Sequence, residues 1–158
     1  MAAKRALTRS DVGAWVFKGN PATCRYLTNL AASGRRPGSV GTDSWTIRTT
    51  RRTAMIEAGD PMLVWITGPD RPGVYEVGLV TGEPEAAVTD AARSVVPYRS
   101  VLLTAPLART AMQDDPVLRR CEQFVIPVIG NPTYLTPEQN AALSTHLQRS
   151  ELRRAGWA

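Results

Sequence analysis

The chain has 158 residues, 43% apolar and 21% charged, and its 19 Lys and Arg against 14 Asp and Glu give a formal charge of +5. That length and composition suit one folded domain with a sizeable core and exclude a disordered or fibrous chain. Two cysteines without CxxC or Cys/His spacing exclude a disulfide scaffold and offer no zinc motif, and no run approaches the roughly 20 apolar residues of a membrane helix.

Residues 1–13 read as a flexible basic start without the apolar segment of a signal peptide, so a cytoplasmic location is expected. Ala14 to Phe17 alternates as a strand does and is stopped by Gly19-Asn20-Pro21. Leu27, Leu30 and Ala31 share a helical spacing that ends at Gly34. Arg35 to Thr42, rich in Gly, Pro, Ser and Arg, reads as a mobile charged connection. Trp45 to Ile47 follows as a short extended piece, and Thr50 would cap a helix over Arg51 to Ala58 closed by Gly59.

Met62 to Thr67 and Val74 to Thr81 are apolar strands joined by Gly68-Pro69-Asp70-Arg71-Pro72-Gly73, which predicts a hairpin. Its first strand would place Leu63, Trp65 and Thr67 on one face and Met62, Val64 and Ile66 on the other. Val95 to Thr104 and Phe124 to Ile129 read as further strands. Thr136-Pro137-Glu138-Gln139 has the capping Thr, first-turn Pro and reciprocal Gln of a helix start, with the helix running through Ala142, Leu143 and Leu147. Short strands with helices inserted early and late predict an α+β fold, a small mixed barrel rather than a doubly wound sheet.

Catalytic chemistry has few parts here. His146 is the only histidine, expected in a structural or surface role. Asp114-Asp115-Pro116 reads as a turn or helix opener rather than a catalytic dyad. Both cysteines read as buried or inert thiols. There is no G-x-S-x-G, G-x-G-x-x-G, G-x-x-x-x-G-K-[ST] or H-E-x-x-H pattern, so no catalytic residue, metal or cofactor is expected.

The arginines Arg35, Arg36, Arg48, Arg51 and Arg52 cluster around a single acid, Asp43, which fits either a phosphate-facing rim or a solvated face. Among them Ser44-Trp45 enters from a polar loop, which would leave one indole face open as a stacking platform; core packing is the alternative. Trp65 reads as mostly enclosed, Trp15 as packing and Trp157 as a tail residue. Asn20 adds an amide whose donor and acceptor suit a base edge.

The ordered segments Trp-Val-Phe-Lys-Gly-Asn-Pro, Ser-Trp-Thr-Ile-Arg, Ile-Glu-Ala-Gly-Asp-Pro-Met-Leu-Val-Trp-Ile-Thr-Gly and Pro-Gly-Val-Tyr-Glu-Val-Gly resemble an EVE domain of the PUA-like superfamily, from Ala14 to Leu147. The resemblance implies a single domain over 14–150 with a tail at 151–158, built as a PUA-like mixed β pseudo-barrel flanked by helices. It implies a non-catalytic module that recognises a modified nucleobase in DNA, methylated or hydroxymethylated cytosine or methylated adenine, through an aromatic pocket. Trp45 would lead that pocket with Ser44 beside it, Trp65 and Thr67 contributed by the next strand, Asn20 at the base edge and Gly68 shaping the rim. Lys18, Arg48, Arg51 and Arg52 are the expected phosphate contacts. The expected partners are modified DNA or RNA and a separately encoded effector enzyme, with no membrane. Two rivals stand beside it: an RNA-processing enzyme of the neighbouring ASCH type, which only Lys4 and Lys18 would serve, and a PUA-like binder of structured RNA.

Overall fold

The computed structural model describes residues 5–126 and 130–158. Seven strands form one mixed sheet in the order β2-β6-β4-β3-β1-β7, with β5 paired to β6. They are β1 (Ala14–Gly19), β2 (Val40–Arg48), β3 (Pro61–Ile66), β4 (Gly73–Val80), β5 (Glu85–Ala86), β6 (Arg93–Ala108) and β7 (Thr133–Leu135). Among the described residues only β1 and β3 run parallel; the other ladders are antiparallel. Helices α1 (Tyr26–Ser33), α2 (Arg109–Asp114), α3 (Glu122–Val125), α4 (Pro137–Ser144) and α5 (Arg149–Ala155) flank the sheet. This is an α+β arrangement, as expected from the sequence.

Strand alternation sorts the core into two clusters. Ala14, Val16, Leu63, Trp65, Val74, Val77, Val101, Leu103 and Leu135 of the strands pack with Met112, Leu118, Leu143 and Ala155 from the helical side. Trp15, Phe17, Trp45, Ile47, Met62, Val64, Ile66, Tyr75, Val96 and Tyr98 fill the opposite face. The period-two reading of β3 therefore holds residue by residue, because a slip of one position would carry the whole apolar set to the wrong side. The second face is rich in aromatics, and the indole N–H of buried Trp15 is satisfied by Asp60 Oδ2 at 2.9 Å.

β4 breaks its own alternation. Against β3, adjacent Val64 and Trp65 pair with Glu76 and Val74, so Tyr75 is an extra residue; against β6 the excess lies on the other strand, where Leu102 and Leu107 pair with Glu76 and Val74. With Val74 and Val77 both on the helical side, Tyr75 and Glu76 are left consecutively on the aromatic side, as a bulge does when it re-aims a side chain.

Several expectations need correction. Residues 51–58 form only a short 3-10 turn, Thr53–Met55, left through an extended Ile56 and followed by a second turn closed by the Asp60 N–H on Glu57 O at 3.1 Å. Ile56 is buried in the aromatic cluster, and Asp60 gathers the Glu57 N–H and a bidentate Arg9, so tertiary contacts override the local cap signal. Extended structure begins at Val40, well before Trp45, and Arg35 in the preceding connection is tied to Glu76. Phe124 and Val125 end helix α3 instead of opening a strand; the rest of that expected strand, 127–129, lies outside the described residues. The predicted capping box at Thr136 is present, with Thr136 Oγ1 accepting from the Gln139 N–H at 3.1 Å and Gln139 Oε1 accepting from the Thr136 N–H at 2.9 Å. Its helix stops at Ser144, short of Leu147.

Residues near both described ends make defined contacts. Arg9 reaches Asp60, and Gly13 sits so close to Thr136 and Pro137 that an added Cβ would overlap their backbone. At the other end α5 covers β4 and β6, and Trp157 donates its indole N–H to Gly78 O at 2.8 Å. The segment read as a tail is thus part of the packed structure.

Candidate nucleic-acid interface

β1 ends at Gly19 between two hollows. Asn131 holds that end: its Oδ1 accepts from the Lys18 N–H and its Nδ2 donates to Lys18 O, both at 2.7 Å, so a side chain extends the ladder where β7 has stopped. Past it, Asn20 Oδ1 accepts from the Ala22 N–H at 3.0 Å and Asn20 O from Thr23 and Cys24, which turns the chain toward α1. The Asn20 acceptor is therefore engaged within the turn. Lys18, Asn20, Thr23 and Asn131 line both hollows.

The first hollow, about 660 Å³, lies within the usual size of ligand pockets and contains Trp45, Ser44 and Asn20. Its outer wall is α1, a helix with no fully buried residue of its own. Trp45 is 8% exposed, so the open indole face expected from the sequence is largely covered. Tyr26 leans on it at 5.7 Å with a 48° tilt, and the strand end approaches closely enough that a Cβ on Gly19 would meet Trp45 Cζ2 at 3.3 Å. The ring borders the hollow without offering a ready platform.

A buried acidic group lies in the same hollow. Glu76 is 1% exposed; Arg35 Nη1 and Ser100 Oγ (2.6 Å) donate to its Oε1, and the Tyr26 hydroxyl donates to its Oε2. Burial first, and then the neighbouring carboxylate, push the Tyr26 phenol far above its ordinary range, so it stays a neutral donor. Tyr98 is raised for the same reasons. A carboxylate offers about four lone-pair positions, and three are filled, which leaves one on Oε2. Sequence reasoning missed Glu76, although a lone acid inside Val-Tyr-Glu-Val-Gly-Leu-Val is the kind of buried polar residue that needs a reason.

The second hollow, about 550 Å³, holds Trp65 and Thr67 together with Arg109, Gln113, Gln123 and Phe124. Trp65 is 2% exposed and meets Phe124 edge to face at 5.2 Å. Thr67 donates its N–H to Gly19 O at 2.9 Å. The residues expected to form one aromatic pocket are therefore divided: Trp45 with Ser44 on one side of the β1 end, Trp65 with Thr67 on the other. Gly68 lines neither; at φ 97° it turns the chain under Pro21.

The expected cationic rim is also redistributed. Arg52 is engaged by both Glu122 oxygens, donates to Pro132 O at 3.1 Å and lies 5.3 Å from the Tyr134 ring centre, which makes it an internal brace. Arg51 and Arg48 are exposed but line neither hollow. Arg48 does sit directly across the ladder from Arg93, which lines the first hollow, as does Arg25. Like charges set opposite one another cost stability, so that juxtaposition marks a patch favourable to anions. Burial draws the Lys18 ammonium below its ordinary range, partly opposed by Glu122.

The remaining candidates are structural. Asp115 Oδ1 accepts from the Val117 and Leu118 N–H groups and its Oδ2 contacts His146 Nε2 at 2.9 Å, so both residues serve a turn. Cys121 is buried, which raises its thiol above the ordinary range. Among the described residues no cluster of three His, Cys, Asp or Glu is placed to hold a metal, and no helix is long and apolar enough to cross a membrane.

No protein-family model and no curated protein matches the chain. Solved structures do. A hypothetical protein from Leishmania major is 16% identical with a TM-score of 0.61, covering 88% of this chain and 96% of its own. A Rhodopseudomonas palustris protein solved by NMR is 14% identical with a TM-score of 0.60, covering 92% and 94%. Human THYN1 protein, solved in complex with 5-methylcytosine containing DNA, is 11% identical with a TM-score of 0.59, covering 84% and 96%. Likeness at these identities establishes the shared fold.

Proposed function

We propose that this chain is a non-catalytic module that binds a modified nucleobase in DNA, with the base entering the Trp45 hollow. The observation that carries the reading is the meeting of Trp45, neutral Tyr26 and the Glu76 carboxylate in one hollow at the end of β1. Its likeness in fold to a protein solved with 5-methylcytosine containing DNA supports the same class of ligand. A carboxylate accepts from the exocyclic amine of cytosine, so Glu76 favours bases that carry an amino group over thymine.

Magnitudes decide what else is needed. Extruding a base from a duplex costs a few kcal/mol, and stacking on an aromatic ring returns about 1–3 kcal/mol. Turning Tyr26 away from Trp45 gives up about 0.5–1.5 kcal/mol more. Stacking alone therefore leaves binding unfavourable. A hydrogen bond accepted by Glu76, one donated by the Asn20 amide, and phosphate contacts from Lys18, Arg25, Arg48 and Arg93 supply the remainder, with Arg51 as an outer contact. One added methyl contributes only about 0.8 kcal/mol, roughly fourfold, so discrimination has to come from the shape of the hollow as well. Any cutting or repair falls to a separately encoded protein.

The test is calorimetric titration of oligonucleotides carrying 5-methylcytosine, 5-hydroxymethylcytosine or methylated adenine against unmodified strands, with wild type and Trp45→Ala. Preference for one modified strand, lost at least tenfold in the variant, is the expected result. Equal affinity for all strands defeats the reading. Turnover of labelled RNA would replace it with an ASCH-like enzyme, and steep salt dependence insensitive to Trp45→Ala with a binder of structured RNA.

A further inference from the structure

Two side chains that line the second hollow each carry a buried polar atom that the fold leaves without a partner. Gln123, 7% exposed, has a buried Oε1 that accepts no hydrogen bond, and Arg109 has a buried Nε that donates none. Both residues line the Trp65 hollow. Native proteins satisfy nearly all such groups, so two beside one cavity call for a ligand or ordered water that small side-chain shifts would let them reach.

Their polarity restricts what can enter. Gln123 Oε1 needs a donor and Arg109 Nε–H needs an acceptor. A phosphate or carboxylate would serve the arginine and leave the glutamine acceptor facing negative charge. The hydrogen-bonding edge of adenine or cytosine, with an amine beside a ring nitrogen, answers both. Trp65 is too enclosed for face stacking, so it and Phe124 act as an apolar wall along which a flat ring slides edge first.

Position connects this hollow to the first. The two share Lys18, Asn20, Thr23 and Asn131 and so adjoin across the end of β1. We infer that the Trp65 hollow is a second nucleobase site, reading by its edge the nucleotide next to the one held at Trp45. The inference rests on the proposed entry of a base into the Trp45 hollow, and extends recognition from one modified base to that base and a neighbour.

The probe is a single-stranded trinucleotide with 5-methylcytosine flanked by adenines, together with versions abasic on one side or the other. For wild type, removing the adenine on one side lowers affinity about tenfold, and removing the other does little. Gln123→Met, which fills similar space without the orphaned acceptor, lowers affinity for the full strand about tenfold and makes the abasic change neutral. Its thermal midpoint does not fall, whereas a glutamine needed for structure would lower it. Losses that multiply instead of cancelling overturn the second site, as does competition by inorganic phosphate at the Gln123-dependent step. A strand indifferent to both the methyl group and Trp45→Ala overturns the first hollow, and the second with it.

Discussion

The two hollows beside the end of β1 treat their polar atoms in opposite ways. Around Trp45 the buried Glu76 receives donors from Arg35, Ser100 and Tyr26, drawn from three separate segments. Around Trp65 the buried atoms of Gln123 and Arg109 receive nothing from the described residues. A site whose charge is already compensated is held in shape by the fold, while one with orphaned groups gains its bonds only when something enters. The contrast makes Glu76 chiefly a brace of its hollow, with one lone pair left for a base, whereas Gln123 and Arg109 are left with bonds that form only when something enters.

Removing the compensated charge tests this contrast most severely. Glu76→Ala leaves the partly buried Arg35 with only backbone acceptors such as Ser100 O, and urea denaturation is expected to show a loss of about 3 kcal/mol. A loss below about 1 kcal/mol would erase the distinction from Gln123, whose replacement by Met should cost nothing.

The tryptophans give a smaller, differential effect. Trp65→Ala opens a void in the cluster packed by the helices, of the kind that costs about 3–5 kcal/mol. Trp45→Ala only enlarges an existing hollow that water can enter, so its unfolding free energy should fall by about 1–2 kcal/mol less. Equal losses would mean that Trp45 is core and nothing more.

Gly19→Ala sharpens the comparison further, since its Cβ would press on Cys24 Sγ at 3.0 Å and Trp45 Cζ2 at 3.3 Å. A cost of about 1 kcal/mol and a shifted tryptophan emission are expected, with weaker binding of the modified strand. Unchanged emission would show that the indole has room to retreat.

Acid titration should reveal the smallest effect, on the aromatic face away from both hollows. Burial raises Asp60, but the Arg9 guanidinium, the Glu57 N–H and the Trp15 indole N–H outweigh it and hold the carboxyl below its ordinary value. Its folded value thus lies below its unfolded one near 3.9, so the contribution is present above that pH and lost as pH falls through the folded value. Arg9 is half exposed, which limits the effect to below about 1 kcal/mol. Asp60→Asn should flatten the acid limb of a stability curve below about pH 4; an unaltered limb would remove Asp60 from the account.

Much of the fold was legible along the chain because its signals are local. Alternation in Met62 to Thr67, the glycine and proline turn before Val74, the Gly34 stop and the Thr136–Gln139 capping box each depend on neighbours a few residues away, and each is present. The expected helix after Thr50 failed for the converse reason: Ile56 and Asp60 obey distant partners. Choosing Trp45, Ser44 and Asn20 from the sequence did select residues that line one hollow. What the sequence determined by itself is therefore the α+β class, the strand faces and an aromatic, basic segment between Asn20 and Gly68. Tertiary structure alone decided that Trp45 and Trp65 face separate hollows, that Arg52 braces Glu122, and that Glu76 is turned inward by a bulge. Those outcomes depend on which segments meet across 40 to 70 residues of chain, and on a register shift set by two strands at once, neither of which any local pattern encodes.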